Sequence, residues 1–371
     1  MMTPLRLAVI GAGHLGRIHA RIASGLAEIA LVAVADPVAE CRASVAAEAR
    51  TRAVADYREL VGEIDAAIVA TPTNTHHAVG VELLASGIPL LVEKPLAPDA
   101  AAATELVNLA RRQGLVLQVG HVERFNPALA WAASEVRDPK YIEATRTSSY
   151  SFRSTDIGVV LDVMIHDLDV VLALVNSTVT QVEALGISVL GGHEDLASAR
   201  LTFASGCVAQ LTASRVSPHQ QRTMNIFTSR SAASIDFASH EASLVKPRED
   251  VLRRKFRVDR LSADERAYWK DHLFDELLVR SEHVAAHVNA IQEEQRDFVT
   301  SIRTGKTPRV DGAAGRDAIA VAELVLAKID EHAWDGTPAG RHGPLAMPAL
   351  PIIPAADRWH DDDAQPRRRA G

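Results

Sequence analysis

The sequence predicts an α/β chain in two parts: a doubly wound parallel sheet at residues 1–120, then an α+β domain with a largely antiparallel, open sheet at residues 121–333. Three observations predict it. A short apolar run at residues 5–10 breaks at a glycine turn and continues as a helix-like segment. Up to Gly120, near-continuous aliphatic runs alternate with helical stretches, the βαβ rhythm of a parallel sheet covered on both faces. Past Gly120 short alternating segments joined by turns take over, and these pair antiparallel.

Each element follows from its pattern. Residues 5–10, Leu-Arg-Leu-Ala-Val-Ile, are too few for a helix and end at glycine, so they read as a buried strand. A strand at 31–35 precedes an alanine-rich helix at 38–49 and a short segment at 57–61. Strands at 66–70, 88–92 and 115–119 alternate with helices at 77–85 and 100–113. In the second part, a short helix at 127–135 and a strand at 141–149 lead to a helix at 159–174. Strand-like segments follow at 180–189, 197–203, 207–214, 222–228, 232–237 and 242–246, with Ala204-Ser205-Gly206 as a hairpin turn. The charged stretch 249–280 has no clear period. An amphipathic helix is expected at 282–303, with Val284, Val288, Ile291, Phe298 and Ile302 on or near one face. A helix at 315–329 closes the domain. Residues 334–371 are proline-rich and cannot form a core, so a disordered or surface-draped tail is expected.

Composition limits what the chain can do. With 371 residues, 47% of them hydrophobic, there is material for a sizeable core. The net charge of -7 argues against a nucleic-acid binder, yet a local arginine cluster could still hold an anionic small molecule. Cys41 and Cys207 are far apart and without metal spacing, so neither a disulfide framework nor a metal site is expected. No apolar run reaches the ~20 residues that span a bilayer, and the first strand begins almost at Met1, so the expectation is a soluble, cytoplasmic protein without a membrane partner.

The glycine turn carries the first chemical signal. Gly11, Gly13 and Gly16 have the G-x-G-x-x-G spacing of a Rossmann dinucleotide site: a tight turn, a backbone that can approach a pyrophosphate, and close helix–strand packing. His14 and Leu15 lie within it, where the helix N-terminus offers free N–H groups. Asp36 ends the next strand about 20 residues on, where a carboxylate accepts the ribose hydroxyls and repels a 2′-phosphate, favouring NAD over NADP. In such sheets ligands sit beyond the carboxyl ends of strands. That rule selects Thr71-Pro72-Thr73-Asn74-Thr75-His76, Glu93-Lys94-Pro95 and the junction Gly120-His121-Val122-Glu123-Arg124-Phe125-Asn126-Pro127. Thr73 or Asn74 could equally serve only as a helix cap, and Glu93 and Lys94 as a surface ion pair.

Taken in order, G-A-G-H-L-G-R-I-H, A-T-P-T-N-T-H, E-K-P, G-H-V-E-R-F-N-P and Asp162-Val163-Met164-Ile165-His166 resemble the Gfo/Idh/MocA family of sugar and cyclitol oxidoreductases, over roughly residues 5–330. Met164 stands where that family usually has glycine, and Thr155-Asp156-Ile157 replaces glycines that commonly precede the helix. The resemblance implies NAD held by Gly11, Gly13, His14, Leu15, Gly16, Asp36, Thr71, Pro72, Asn74, His76, Glu93 and Lys94. It implies Lys94 and His166 flanking the reacting carbon, with Asp162 beside them. The chemistry agrees, because oxidising a secondary alcohol needs a base for the hydroxyl proton and a cation for the developing alkoxide. Asp162 precedes His166 by one helical turn and can share its face, and Asp169, three residues beyond, could act similarly. Lys94, beside the nicotinamide, should find its charged form disfavoured.

M-I-H-D-L-D, G-H-V-E-R-F-N-P and A-S-R-V-S are similar to the branch of the family that oxidises the 3-hydroxyl of UDP-N-acetylglucosamine, ahead of a partner aminotransferase in lipid A assembly. A nucleotide sugar's diphosphate wants arginines, and Arg124, Arg153, Arg215 and Arg222 are candidates by location, with Asn126 beside them; as ordinary surface charges they would do nothing of the kind. A homodimer or homotetramer through the C-terminal sheet is implied. Three alternatives stay open: another sugar or cyclitol dehydrogenase, a family member that uses bound NAD to cleave a glycoside, and a non-catalytic cofactor-binding regulator.

Overall fold

The computed structural model describes residues 3–152, 157–190, 192–285, 288–334, 336–337 and 340–346. β1 (Leu5–Ile10) turns at the glycines into α1 (His14–Ala23). There follow β2 (Ile29–Ala35), α2 (Ala39–Ala49), β3 (Arg52–Val54), β4 (Ala66–Val69), α3 (Thr73–Ala85), β5 (Leu90–Val92), α4 (Ala100–Gln113) and β6 (Leu117–Val119). These strands form one six-stranded parallel sheet in the order β3-β2-β1-β4-β5-β6. The order reverses between β1 and β4, which opens a crevice beyond their carboxyl ends. β3 was not expected, being only three residues of mixed character.

The chain then passes a tight turn at Val122–Phe125 into α5 (Pro127–Glu135) and β7 (Tyr141–Thr147). A wide, π-type turn at Val160–Met164 runs straight into α6 (Ile165–Val175). β8 (Val179–Ile187), β9 (Leu196–Phe203), β10 (Val208–Ser214), β11 (Gln221–Phe227), β12 (Ala232–Asp236) and β13 (Glu241–Pro247) follow. After α7 (Glu249–Leu252) and α8 (Ala263–Asp271) come β14 (Leu278–Val284), α9 (Ala290–Thr304) and α10 (Gly312–Glu331). The second sheet has eight strands in the order β14-β13-β12-β11-β7-β10-β9-β8. All its pairings are antiparallel except β7 with β10.

The helix expected at 282–303 is corrected here. Residues 278–284 form an edge strand on β13, and the helix starts only after Asn289, whose side chain accepts the Gln292 N–H. Val284, 72% exposed, and Val288 therefore lie outside it. The period misleads because residues four apart share a face in a strand as well as in a helix. The charged stretch 249–280 holds α8, opened by a Ser262/Glu265 capping box that the S-A-D-E sequence spells out.

Alternation along the parallel strands divides the first core. Ala8, Ile10, Ala67 and Val69 face α3 and α4, while Leu7, Val9 and Ile68 face α1, α2 and α9. α9 thus returns from the far end of the chain to cover the first sheet, with Phe298 fully buried. α10 joins the two halves. Ala318 and Ile319 lie in the first core, and Val321, Ala322, Val325 and Ile329 in the core under the second sheet. It crosses β6 closely: a methyl group at Gly315 would come within 2.6 Å of Val119. This splint fixes the cleft between the two sheets.

Of the expected tail, part folds back: Trp334 Nε1 donates to Gly343 O (3.0 Å) and Ser188 N–H to Pro344 O (3.0 Å). Residues 347–371 lie outside the described residues. Among the described residues, no helix is long and apolar enough to cross a membrane.

Candidate active site

The loops after β1, β4 and β5 and the face of the second domain enclose a cleft of about 960 Å3, at the upper end for small-molecule sites. The glycines of the first loop divide into two kinds. Gly11 has φ +99°, and a methyl group there would lie 2.5 Å from Ala70 O; one at Gly16 would lie 1.9 Å from Gly11 O. Both are required for backbone to pack on backbone. Gly13 is different, with nothing within 4 Å of a Cβ placed there. It is the N-cap of α1, without a side-chain cap bond. The first N–H groups of the helix therefore point into open cleft, a seat for a pyrophosphate. His14 and Leu15 line that seat, whereas Gly16 is buried behind it.

Asp36 also lines the cleft. Its carboxylate accepts the N–H of Ala12 (2.7 Å) and of Val38 (2.8 Å), one on each oxygen, which fixes the group while leaving lone pairs for a ribose. An open anion cradle beside a fixed carboxylate fits NAD. Thr71, Pro72, Thr73 and His76 form the opposite wall. The cap position of α3 is Pro72, with no side-chain cap, so neither Thr73 nor Asn74 caps the helix. Asn74 does not line the cleft. His76 is buried with one ring nitrogen 2.8 Å from Pro95 O and the other 2.8 Å from Thr71 O, tying two cofactor loops together. Burial lowers its pKa despite those carbonyls.

Glu93 is buried against α1, its Oε1 2.7 Å from His19 Nε2 and its Oε2 accepting the Lys94 N–H (3.1 Å). Burial opposes its charge, but the His19 contact and the neighbouring Lys94 outweigh burial and hold it below the usual carboxylate range. Behind it, Glu294 on α9 is fully enclosed, and burial together with Glu93 pushes its carboxyl well above the usual range.

Lys94 Nζ donates to Asp162 Oδ1 (3.0 Å) and Asp162 O (2.7 Å), joining the two domains across the cleft. His166 lines the same cleft. Its Nδ1 is buried without a partner, and Nε2 faces the opening. Burial first, then the charges of Lys94 and Arg146, the nearby His121 and Arg222, lower its pKa well below 6.5. At neutral pH His166 is therefore an uncharged ring able to take a proton. Met164 is fully buried in the second core and does not line the cleft. Among the described residues, no three His, Cys, Asp or Glu side chains are placed to hold a metal ion.

The substrate side differs from expectation. Arg124 donates to Asp169 Oδ1 (3.3 Å) and Arg309 O (3.4 Å), away from the cleft. Asn126 caps α5, accepting the Ala128 N–H (3.0 Å) and donating to Phe237 O (3.1 Å). Arg215 donates to Asp195 (2.7 Å) and to Ile157 O (2.8 Å), with its guanidinium over Tyr150. None of these three lines the cleft, and Arg153 lies outside the described residues. Arg222 does line it, exposed and without an ion pair among the described residues, as do Ser148, Ser149, Ser151 and Gln220. Opposite Arg222 in the β7–β11 register is Arg146, buried and held by Asp167 (2.8 Å) and Glu123 (2.7 Å). Sequence reading missed Arg146 and the serines. The signal was present: alternation along β7 buries Ile142, Ala144 and then an arginine, and a buried arginine needs carboxylate partners.

A seat that fits a dinucleotide leads here into a part of the cleft lined by an ammonium, Lys94, and a neutral imidazole, His166. That chemistry defines the nicotinamide-dependent oxidoreductases acting on CH–OH groups. Residues 5–121 match the model described as "Oxidoreductase family, NAD-binding Rossmann fold", and residues 128–234 match the GFO/IDH/MocA C-terminal domain. The chain belongs to the Gfo/Idh/MocA family of oxidoreductases, with an NAD-binding Rossmann domain. It is 35% identical over 331 residues to UDP-N-acetylglucosamine 3-dehydrogenase of Acidithiobacillus ferrooxidans, covering 89% of this chain and 98% of that one. The solved structure of that enzyme aligns with a TM-score of 0.77 over 88% of this chain and 98% of that chain, at 33% identity. The NAD-dependent scyllo-inositol 2-dehydrogenase of Bacillus subtilis is 32% identical over 58% of this chain and 68% of its own. Levoglucosan dehydrogenase, solved with NADH and levoglucosan, shares the fold at 16% identity, with a TM-score of 0.74 over 88% of this chain and 97% of its own.

Proposed function

We propose that this sugar dehydrogenase oxidises the 3-hydroxyl of UDP-N-acetylglucosamine to the 3-keto sugar. NAD, when bound in the glycine-turn seat, supplies the hydride acceptor. The observation that carries the substrate reading is Arg222: an exposed arginine, without an ion pair among the described residues, lining the cleft that holds Lys94, Asp162 and His166 together with hydroxyl-bearing side chains. A guanidinium in that position suits a diphosphate, which it can bind through two parallel hydrogen bonds. The relative at 35% identity, aligned along 98% of its own length, supports the same reading.

The residues divide the work. His166 Nε2, uncharged, takes the hydroxyl proton. Lys94 donates to the same oxygen and offsets the negative charge growing there. Asp162 accepts from the ammonium at 3.0 Å and so aims it. Asp36 and the N–H groups after Gly13 orient the cofactor. In this reading the enzyme is cytoplasmic and a homo-oligomer through the second sheet. It supplies a ketone to an aminotransferase, since an unprotected 3-keto sugar is the substrate such a partner needs for lipid A precursors.

Purified protein given NAD and UDP-N-acetylglucosamine should form reduced nicotinamide, and more when an aminotransferase removes the ketone. Turnover of free inositol or glucose with none of any UDP-hexosamine would overturn the substrate. Release of free sugar without net reduction would point instead to glycoside cleavage.

A further inference from the structure

Behind His166 lie buried polar groups that the reaction as described leaves unused. Besides His166 Nδ1, three buried polar atoms there have no hydrogen-bond partner among the described residues: both ring nitrogens of His121 and Asp169 Oδ2. They are neighbours. The His121 ring meets the His166 ring edge-on, with centroids 6.4 Å apart and planes at 88°. The Asp169 carboxylate and the His121 ring act on one another electrostatically, and Asp169 Oδ1 is already taken by Arg124 at 3.3 Å. Asp169 follows His166 by three residues on α6, and His121 leaves the end of β6 at the junction of the domains. The charged groups that face the two rings are Lys94 after β5, Arg146 on β7, Arg222 on β11, Arg124 and Glu93, and none bonds to either ring.

Buried polar groups are rarely left unpaired, and where several face one gap the usual partner is an ordered water with two to four bonds. We infer that a water bridges His166 Nδ1, His121 and Asp169 Oδ2, and that His121 and Asp169 thereby position the base for the reaction. The base role sets the tautomer: with Nε2 bare to take the substrate proton, Nδ1 carries the hydrogen and donates it to the water, whose own two hydrogens go to the Asp169 carboxylate and to the bare nitrogen of His121. When Nε2 takes the substrate proton, the new imidazolium charge sits one water away from a carboxylate. The inference rests on His166 being the base, and it holds whichever sugar is the substrate.

A crystal structure that shows ordered solvent should place a water within hydrogen-bond distance of His166 Nδ1 and Asp169 Oδ2; a dry gap, or a direct bond between the two imidazoles, would overturn the inference. Histidine nitrogen shifts, assigned with His166→Gln, should report the Nδ1–H tautomer in the wild-type holoenzyme and a mixture in Asp169→Asn. Asp169→Asn and His121→Phe should each lower kcat about 10²-fold and leave KM for NAD and for the sugar nucleotide within about twofold. Unchanged kcat with an unchanged tautomer would sink the idea. If His121→Phe does not fold, the isosteric Asp169→Asn decides the matter, and the water and the nitrogen shifts need no substrate at all.

Discussion

The two walls of the cleft are built on different principles. On the cofactor side the geometry is backbone: Gly11, Gly13 and Gly16 lie within one turn, and Asp36 holds the N–H of Ala12 at 2.7 Å. On the substrate side it is side chains brought together by strand register, with Arg146 and Arg222 neighbours only because β7 pairs with β11. A backbone-built site is written in a contiguous motif. A register-built site is written nowhere locally, since a sequence does not state which strand lies beside which.

The sharpest way to break this division is through the residue both walls serve. His166→Asn should lower kcat about 10³-fold while leaving NAD affinity, measured by nucleotide fluorescence, unchanged. Because burial and the facing charges keep the ring neutral well below its usual 6.5, the acid limb of kcat/KM should lie under pH 6.5. Arg222→Gln removes one of those charges, so it should raise the His166 pKa and move that limb upward.

The two arginines test the register-built wall. Arg222→Gln should raise KM for the UDP-sugar about 10- to 100-fold with no change in melting temperature. Arg215→Gln should do the reverse. It strands buried Asp195 and should lower stability by about 2–4 kcal/mol with KM unmoved. If both shifted KM alike, the distinction between cleft and core arginines would be wrong.

The glycines test the backbone-built wall. Gly16→Ala places a methyl group 1.9 Å from Gly11 O and should cost about 1–3 kcal/mol of stability. Gly13→Ala meets nothing in the protein, so the fold should keep its melting temperature while NAD binds about tenfold more weakly. Equal loss of stability in both would mean that Gly13 does not face a ligand.

The smallest effect lies behind the cofactor wall. Glu294 has a folded-state pKa raised above the ordinary 4.5 by burial and by Glu93. As pH rises past 4.5 the unfolded chain releases that proton and the folded one keeps it, so stability falls with rising pH. Glu294→Gln should remove the fall and raise the melting temperature at neutral pH by about 1–3 °C; a lower one would show that the proton is not held.

The same contrast governs what could be read in advance. Gly11, Gly13, Asp36, Lys94, Asp162 and His166, all expected at the site, line one cleft, and each sits at a strand end or on one helix stretch, where spacing implies geometry. Sequence reading puts Arg124, Asn126 and Arg215 with the substrate and the structure leaves them out of the cleft lining, because proximity in sequence to a motif does not say which way a side chain turns. All three are engaged in capping or ion pairs. The last three residues of edge strand β14 fall within the expected helix at 282–303 because a spacing of four fits both periods, and β3 is too short to register. Asp169 lies near His166 by its spacing on one helix, whereas the approach of His121 to His166 depends on two elements meeting in space.

The central claim is tested most directly with UDP-N-acetylglucosamine carrying deuterium at carbon 3. In a single turnover with NAD, the label should appear on the reduced nicotinamide and the sugar should become the 3-ketone. Label retained on the sugar, with the nicotinamide still oxidised, would contradict the account.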